Sequence, residues 1–232
     1  MLKWHRFEGR AELDTQLSQV IIAALSDAIE QRDTAYLVVS GGSTPVGLFG
    51  ELARNSELDW RKVVITLADE RWVPRSHPDS NQQLVEQQLL RAHAAAARFI
   101  PLYTGAATPE QGSLSLEHDF ATLPKFDVVL LGMGGDAHTA SLFPNTEALT
   151  VGLDPLTDCA VLPARPQTAP HARMTLTLKR LVKTRQLFLH ITGEQKELIF
   201  NESLGPSITA REYPIRAFAL QDQCPLEIFY AP

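Results

Sequence analysis

Ala35-Tyr36-Leu37-Val38-Val39-Ser40-Gly41-Gly42-Ser43-Thr44-Pro45 is the stretch on which the fold turns. Its first five residues form a short apolar run, the pattern of a strand buried on both faces of a parallel sheet. Two glycines then allow a sharp turn. Pro45 suits a first helical position, where its missing N–H costs nothing, and Thr44 can cap the helix that runs on to about Arg54. Upstream, Leu13, Leu17, Val20, Ile21, Ala24, Ala28 and Ile29 recur at helical spacing over residues 10–31. Downstream the unit returns. Val63–Ala68 reads as a strand with Asp69-Glu70-Arg71 at its end, and a helix starts near Ser80-Asn81. A short strand at Phe99–Tyr103, a helix over 109–122 and a buried strand at Phe126–Leu131 follow. Arg173–Leu178 and Gln186–Ile191 read as strands, the second leading through Thr192-Gly193-Glu194-Gln195-Lys196 into a helix to about Leu204. Ala217–Leu220 and Glu227–Tyr230 read as short closing strands. Strands alternating with helices predict an α/β fold, a mostly parallel sheet with helices on both faces. The Pro-rich stretch 155–170 reads as an ordered loop, so residues 1–232 are expected to form a single domain.

The chain is long enough to bury a sizeable core without staples: 232 residues, 44% apolar and 21% charged. Lys plus Arg is 21 against 27 Asp plus Glu, a net charge of −6, with no basic run. That balance argues against nucleic acid as a partner but leaves room for one small anion held by local cations and backbone N–H groups. Cys159 and Cys224 are too few for a disulfide framework and read as buried free thiols in a reducing compartment. No apolar leader and no run of membrane-spanning length is visible, so a cytoplasmic protein with no membrane partner, a monomer or weak homodimer, is expected.

Four polar segments follow strand-like runs: 40–45, 69–74, 132–138 and 192–196. In an open parallel sheet the carboxyl ends of the strands share one edge, where ligands bind, so these segments are expected to converge on one cleft. Gly41, Gly42, Ser43 and Thr44 fit a phosphate cradle at a helix start, although alone they also fit a plain capped turn. The loop is not a Walker-type phosphate loop, since no Gly-Lys-Ser/Thr ends it. Gly132, Gly134 and Ala137 match a dinucleotide fingerprint only superficially, because Pro144 leaves no room for a long helix behind them. In the same loop Asp136 and His138 place a carboxylate beside an imidazole, which can take a proton from water and return it. A capping aspartate and a solvated histidine is the plainer alternative. Arg71, Arg173 and Lys196 sit at strand or helix ends and can serve an anion, and Asp69 is a candidate substrate ligand at the same strand end as Arg71; all four can also be ordinary surface charges. His190 lies in an apolar strand and reads as a core residue. His5, His77, His93, His118 and His171 lack partners at metal-ligand spacing; neither a metal nor a cofactor is expected.

Taken in order, Ser40-Gly41-Gly42-Ser43-Thr44-Pro45, Asp69-Glu70-Arg71-Trp72-Val73-Pro74, Ser80-Asn81, Gly132-Met133-Gly134 through Asp136 and His138 to Ser141-Leu142-Phe143-Pro144, and Arg173-Met174-Thr175-Leu176-Thr177 resemble the 6-phosphogluconolactonase family along nearly the whole chain. The resemblance implies a Rossmann-like fold shared with glucosamine-6-phosphate deaminases. It also implies metal-independent hydrolysis of a sugar-phosphate lactone in the oxidative pentose phosphate pathway. It makes His138 the general base, Gly41 to Thr44 the phosphate loop, and Arg71, Arg173 and Lys196 the cationic ligands. A sugar-phosphate isomerase or deaminase would share the loops but not the segment Ser141-Leu142-Phe143-Pro144. A non-catalytic sugar-phosphate sensor would need an output module that the first 35 residues do not show. This chain departs from the family pattern in having Ala137 where glycine is usual, Gly135 where a polar residue is common, and Asn145 in place of a glycine. If the family glycine needs positive φ, Ala137 must carry strain or the loop must differ.

Overall fold

The structure is a computed structural model and describes residues 2–232. In chain order its first half runs β1 (Lys3–Arg6), α1 (Arg10–Arg32), β2 (Ala35–Val39), α2 (Val46–Arg54), β3 (Val63–Leu67), β4 (Asp69–Arg71), α3 (Asn81–Gln88) and β5 (Arg98–Ile100). The second half runs α4 (Pro109–Thr122), β6 (Phe126–Leu131), α5 (Glu147–Gly152), β7 (Val161–Ala164), β8 (Arg173–Leu176), α6 (Leu178–Val182), β9 (Thr184–Thr192), α7 (Glu194–Ser203), α8 (Ile215–Leu220) and β10 (Leu226–Ala231).

Seven strands form one parallel sheet in the order β1-β10-β9-β6-β2-β3-β5. Every residue of β3 and β6 is buried, which requires cover on both faces and accounts for their largely apolar sequences, broken only by Thr66 and Asp127. From β2 the chain crosses to β3 and then β5 on one side; from β6 it continues to β9 and β10 on the other. The connections therefore diverge between the neighbours β2 and β6, opening a crevice at their carboxyl ends. Ser40 and Gly132 leave those two ends. Ser40 Oγ donates to Leu130 O at 3.1 Å and accepts from Gly132 N at 3.3 Å, so one hydroxyl ties the two loops together.

A second sheet, β4-β8-β7, is antiparallel and pairs Arg71 with Arg173 and Asp69 with Thr175. Its first strand is the segment expected to be only the polar end of β3. The chain instead leaves the main sheet at Ala68 and pairs again at once. Its last strand lies inside the Pro-rich stretch, where Pro163 hid it; proline is tolerated because β7 is an edge strand. The strand expected at 217–220 is the helix α8, whose buried Ile215, Phe218 and Ala219 lie three and four apart. A short apolar run cannot separate these two outcomes; Pro214 at the helix entry tips the choice. β1 escaped detection because Lys3-Trp4-His5-Arg6 is half polar, which suits a charged sheet edge. Of the two free thiols, Cys224 is buried as expected, whereas Cys159 is partly exposed. No helix among the described residues is long and apolar enough to cross a membrane.

Candidate active site

The crevice between β2 and β6 is a cavity of about 240 Å³. Its wall includes Gly41, Gly42, Ser43, Thr44, Asp69, Arg71, His138 and Lys196, so eight of the sequence-derived candidates meet in one place. Asp136 and Arg173 do not line it. Asp136 contacts His138 from outside the cavity, and Arg173 is the cross-strand neighbour of Arg71. Arg173 is buried with its Nε unpartnered; burial draws its pKa down, with the Arg71 charge adding to the effect.

The anion-holding turn is shaped by two glycines with different duties. Gly42 has φ 91°, a left-handed conformation that favours glycine. At Gly41 a Cβ would stand 1.9 Å from Asn81 Oδ1, so here the requirement is close approach. Thr44 does not cap α2. Pro45 occupies the cap position without a side-chain hydrogen bond, and the Asp14 carboxyl, reaching over from α1, accepts from Leu48 N in the first turn.

On the facing loop, His138 Nδ1 lies 2.5 Å from Asp136 Oδ1, and the ring stacks on Phe143 with centroids 4.1 Å apart. In the neutral ring, Nδ1–H donates to the Asp136 carboxylate, which leaves Nε2 as the nitrogen without a proton. Burial alone would raise the Asp136 pKa, but the hydrogen bond and charge of His138 outweigh it, and the carboxyl sits below its usual value. Ala137, between them, has φ 61° and is fully buried. The alanine thus accepts the left-handed backbone, at a cost of roughly 1–2 kcal/mol, while Gly135 has no positive φ. Asn145 takes φ 58°, as its side chain permits. No helix follows the loop directly, so the dinucleotide reading fails on structural grounds too.

Lys196 reaches across from α7 to donate to Met133 O. Burial draws its pKa down against the opposing charge of Asp136. Asp69 accepts from Ser141 Oγ at 2.5 Å and, through its backbone carbonyl, from Asn81 Nδ2 at 2.9 Å.

Three contributors lay beyond the sequence reading. Glu70, fully buried, accepts from Arg71 N, Asn81 N and Gln82 N, each at 2.7 Å, and from Ser80 Oγ at 3.1 Å. It pins the start of α3 to β4 and thereby places Asn81 and Arg71. Burial raises its pKa in spite of those donors. Asn81 presents a buried Oδ1 with no partner to the cavity, an acceptor suited to a ligand hydroxyl. Its only signal was its place after Ser80 in a family motif. His190, read as core, is buried and also lines the cavity, with Nε2 3.5 Å from Asp14 Oδ1. Burial, helped by the Arg10 charge, lowers its pKa to about 4, so the ring is neutral near pH 7.

Asp14 approaches the start of α2 from α1. Burial first, then Glu51, raises its pKa from 3.8 to about 6, against the opposing effects of the Leu48 N–H and Arg10. A carboxyl with a raised folded-state pKa contributes stability that is complete below its unfolded value and is lost as pH rises through about 6. The rise corresponds to roughly 3 kcal/mol, which solvent screening reduces to about 1 kcal/mol. Asp14→Asn keeps an acceptor for the Leu48 N–H. It is expected to raise unfolding stability by that amount at pH 8 and leave it unchanged at pH 4, as read by urea titration. An equal effect at both pH values would refute the assignment.

Fold and site together define an α/β protein of the doubly wound type, with a glycine-rich turn and a histidine–carboxylate pair in one switch-point cleft. The chain belongs to the family described as glucosamine-6-phosphate isomerases/6-phosphogluconolactonase, whose model matches residues 8–225. It is 42% identical over 230 residues to a 6-phosphogluconolactonase of Mesorhizobium japonicum, covering 99% of this chain and 95% of that one. It is 37% identical to a 6-phosphogluconolactonase of Neisseria meningitidis over the full length of both chains. The crystal structure of a 6-phosphogluconolactonase from Shewanella baltica superimposes with a TM-score of 0.95 at 38% identity, covering 100% of this chain and 98% of that one.

Proposed function

We propose that this chain hydrolyses 6-phosphoglucono-δ-lactone to 6-phosphogluconate in the oxidative pentose phosphate pathway, with His138 as general base. The observation that carries the proposal is the 2.5 Å contact of His138 Nδ1 with Asp136, on a ring that shares one cavity with Gly41 to Thr44. In this reading the phosphate docks on the 41–44 turn, with Lys196 beside it. Binding energy from that remote group orients the lactone carbonyl. His138 Nε2 takes a proton from water as the water oxygen attacks the carbonyl carbon. The carbonyl oxygen becomes an oxyanion that Arg71, backed by the charge of Arg173, stabilises. As the tetrahedral intermediate collapses, the bond from carbon to ring oxygen breaks, and the imidazolium returns its proton to that oxygen. Asp136 stabilises the charged ring between the two transfers. Asn81 Oδ1 and the Asp69 carboxylate accept from sugar hydroxyls. The chemistry calls on neither a metal nor a cofactor, and the two free thiols suit a reducing, cytoplasmic setting.

The test couples two dehydrogenases. Glucose-6-phosphate dehydrogenase generates the lactone in situ, and 6-phosphogluconate dehydrogenase reports its hydrolysis. Addition of this protein is expected to accelerate the second reduction above the spontaneous rate. No acceleration, or release of ammonia from glucosamine 6-phosphate, would reverse the assignment.

A further inference from the structure

Outside the cavity, the structure brings His171 to a pair of side chains nearly a hundred residues earlier in the sequence. His77 and Asp79 lie in the loop between β4 and α3, and His171 lies in the turn before β8. Their ligand atoms all fall within 4.8 Å of one another. The geometry points to a binding site for a late first-row divalent cation, of which zinc(II) is the natural probe, formed by His77, Asp79 and His171 on the rim of the catalytic cleft.

Distances carry the case. Bonds of about 2.0–2.1 Å at the tetrahedral angle set neighbouring ligand atoms about 3.3 Å apart. Asp79 Oδ2 lies 2.9 Å from His171 Nε2 and 3.8 Å from His77 Nδ1, values that bracket that spacing. The rings stand edge to face, 76° apart with centroids separated by 5.2 Å, so both can turn a nitrogen toward the carboxylate without clashing. His77 Nδ1 accepts from Asp79 N at 3.1 Å; either that bond yields to the ion or the ring turns to offer Nε2. The side chains are 36%, 51% and 27% exposed for His77, Asp79 and His171, which leaves the fourth position to water. Two imidazoles and one carboxylate favour zinc, copper or nickel over magnesium or calcium, which require oxygen ligands. His171 has φ 68°. A non-glycine residue held in that conformation stores strain, and here the strained turn aims the ring at Asp79.

The site is joined to the cleft. Arg71 lines the cavity and donates from Nη1 to Asp79 O at 2.5 Å, while Trp72 N donates to Ala172 O at 2.7 Å. An ion held by the Asp79 and His171 side chains therefore fixes both backbone segments that flank Arg71, coupling metal occupancy to the position of that guanidinium.

Equilibrium dialysis of the whole protein against zinc(II), with cobalt(II) spectroscopy alongside, reads the site without reference to turnover. One equivalent is expected to bind, with the visible bands of four-coordinate cobalt. Affinity is expected to fall by more than roughly tenfold in His77→Ala and in His171→Ala, two exposed positions whose variants should keep the circular dichroism of the parent. His138→Ala serves as the control for binding at the Asp136–His138 pair and is expected to retain the equivalent. Three results would overturn the proposal: no binding by the parent protein, an unchanged equivalent in the His77→Ala/His171→Ala double variant, or its loss in His138→Ala.

Discussion

Replacement of His138 by alanine is expected to lower kcat by about 10²–10⁴-fold, the range that a positioned proton-transfer group supplies. Affinity for 6-phosphogluconate should stay within a few-fold of the parent. In the proposed mechanism the two effects separate because the imidazole handles the proton, whereas the 41–44 turn and Lys196 hold the anion. The ring is also partly exposed, 29% by its side chain, and rests on Phe143, so its removal leaves no deep cavity and the fold should survive. Stopped-flow measurement of lactone decay, corrected for spontaneous hydrolysis, gives the rate; titration calorimetry with product gives the affinity. Near-normal turnover in the variant would remove His138 from the mechanism. Loss of product affinity in step with kcat would instead make it a binding residue.

Gly134→Ala carries the second large effect, and it tests positioning rather than chemistry. A Cβ at residue 134 would stand 2.2 Å from both Cε1 and Nδ1 of His138 and 2.7 Å from Asp136 Oδ1. No real contact is that short, so the ring must turn away and the Nδ1–Asp136 bond must break. A displacement of about 1 Å at a reacting group costs on the order of 10²-fold in rate. That is the expected fall in kcat, with KM little changed because the phosphate turn lies on another strand. Gly135→Ala is the matched control: nothing lies within 4 Å of a Cβ there, and parent-like kinetics are expected. Equal rates for Gly134→Ala and the parent would mean that the orientation of the ring does not limit turnover.

Much of this site was legible because its signals are local. A run of buried apolar residues ending in glycines and hydroxyls marks a strand end facing a ligand, and β2 with Gly41 to Thr44 and β6 with Gly132 to His138 both read that way. The strain at Ala137 was one of two outcomes expected from its standing where the family pattern has glycine, the other being a different loop. The small antiparallel sheet was not expected, because β4 reads as a charged strand end and β7 contains Pro163. Both segments are held against their local preferences by pairing with β8, which lies more than 100 residues on from β4 but directly follows β7 across a turn. His190 was read correctly as buried and incompletely as core, since nothing in an apolar strand reveals which face borders a cavity. Glu70 looked like one charge among three; its four hydrogen bonds come from residues at positions 71 and 80 to 82, gathered by a turn that has no sequence signature.

By itself the amino-acid sequence determined the parallel α/β architecture, the family and the two loops that meet at the switch point. The architecture and the loops follow from apolar periodicity and from residues whose backbone or side-chain chemistry is decided within a few positions; the family follows from the resemblance of five motifs in order. Only the tertiary structure decided that Arg173 stands behind Arg71 instead of lining the cavity, that Asn81 offers a free acceptor, and that His77 and His171 close on Asp79. Those are distances between segments brought together by sheet packing, and contacts across such separations depend on how the whole core assembles, which no short stretch of sequence encodes.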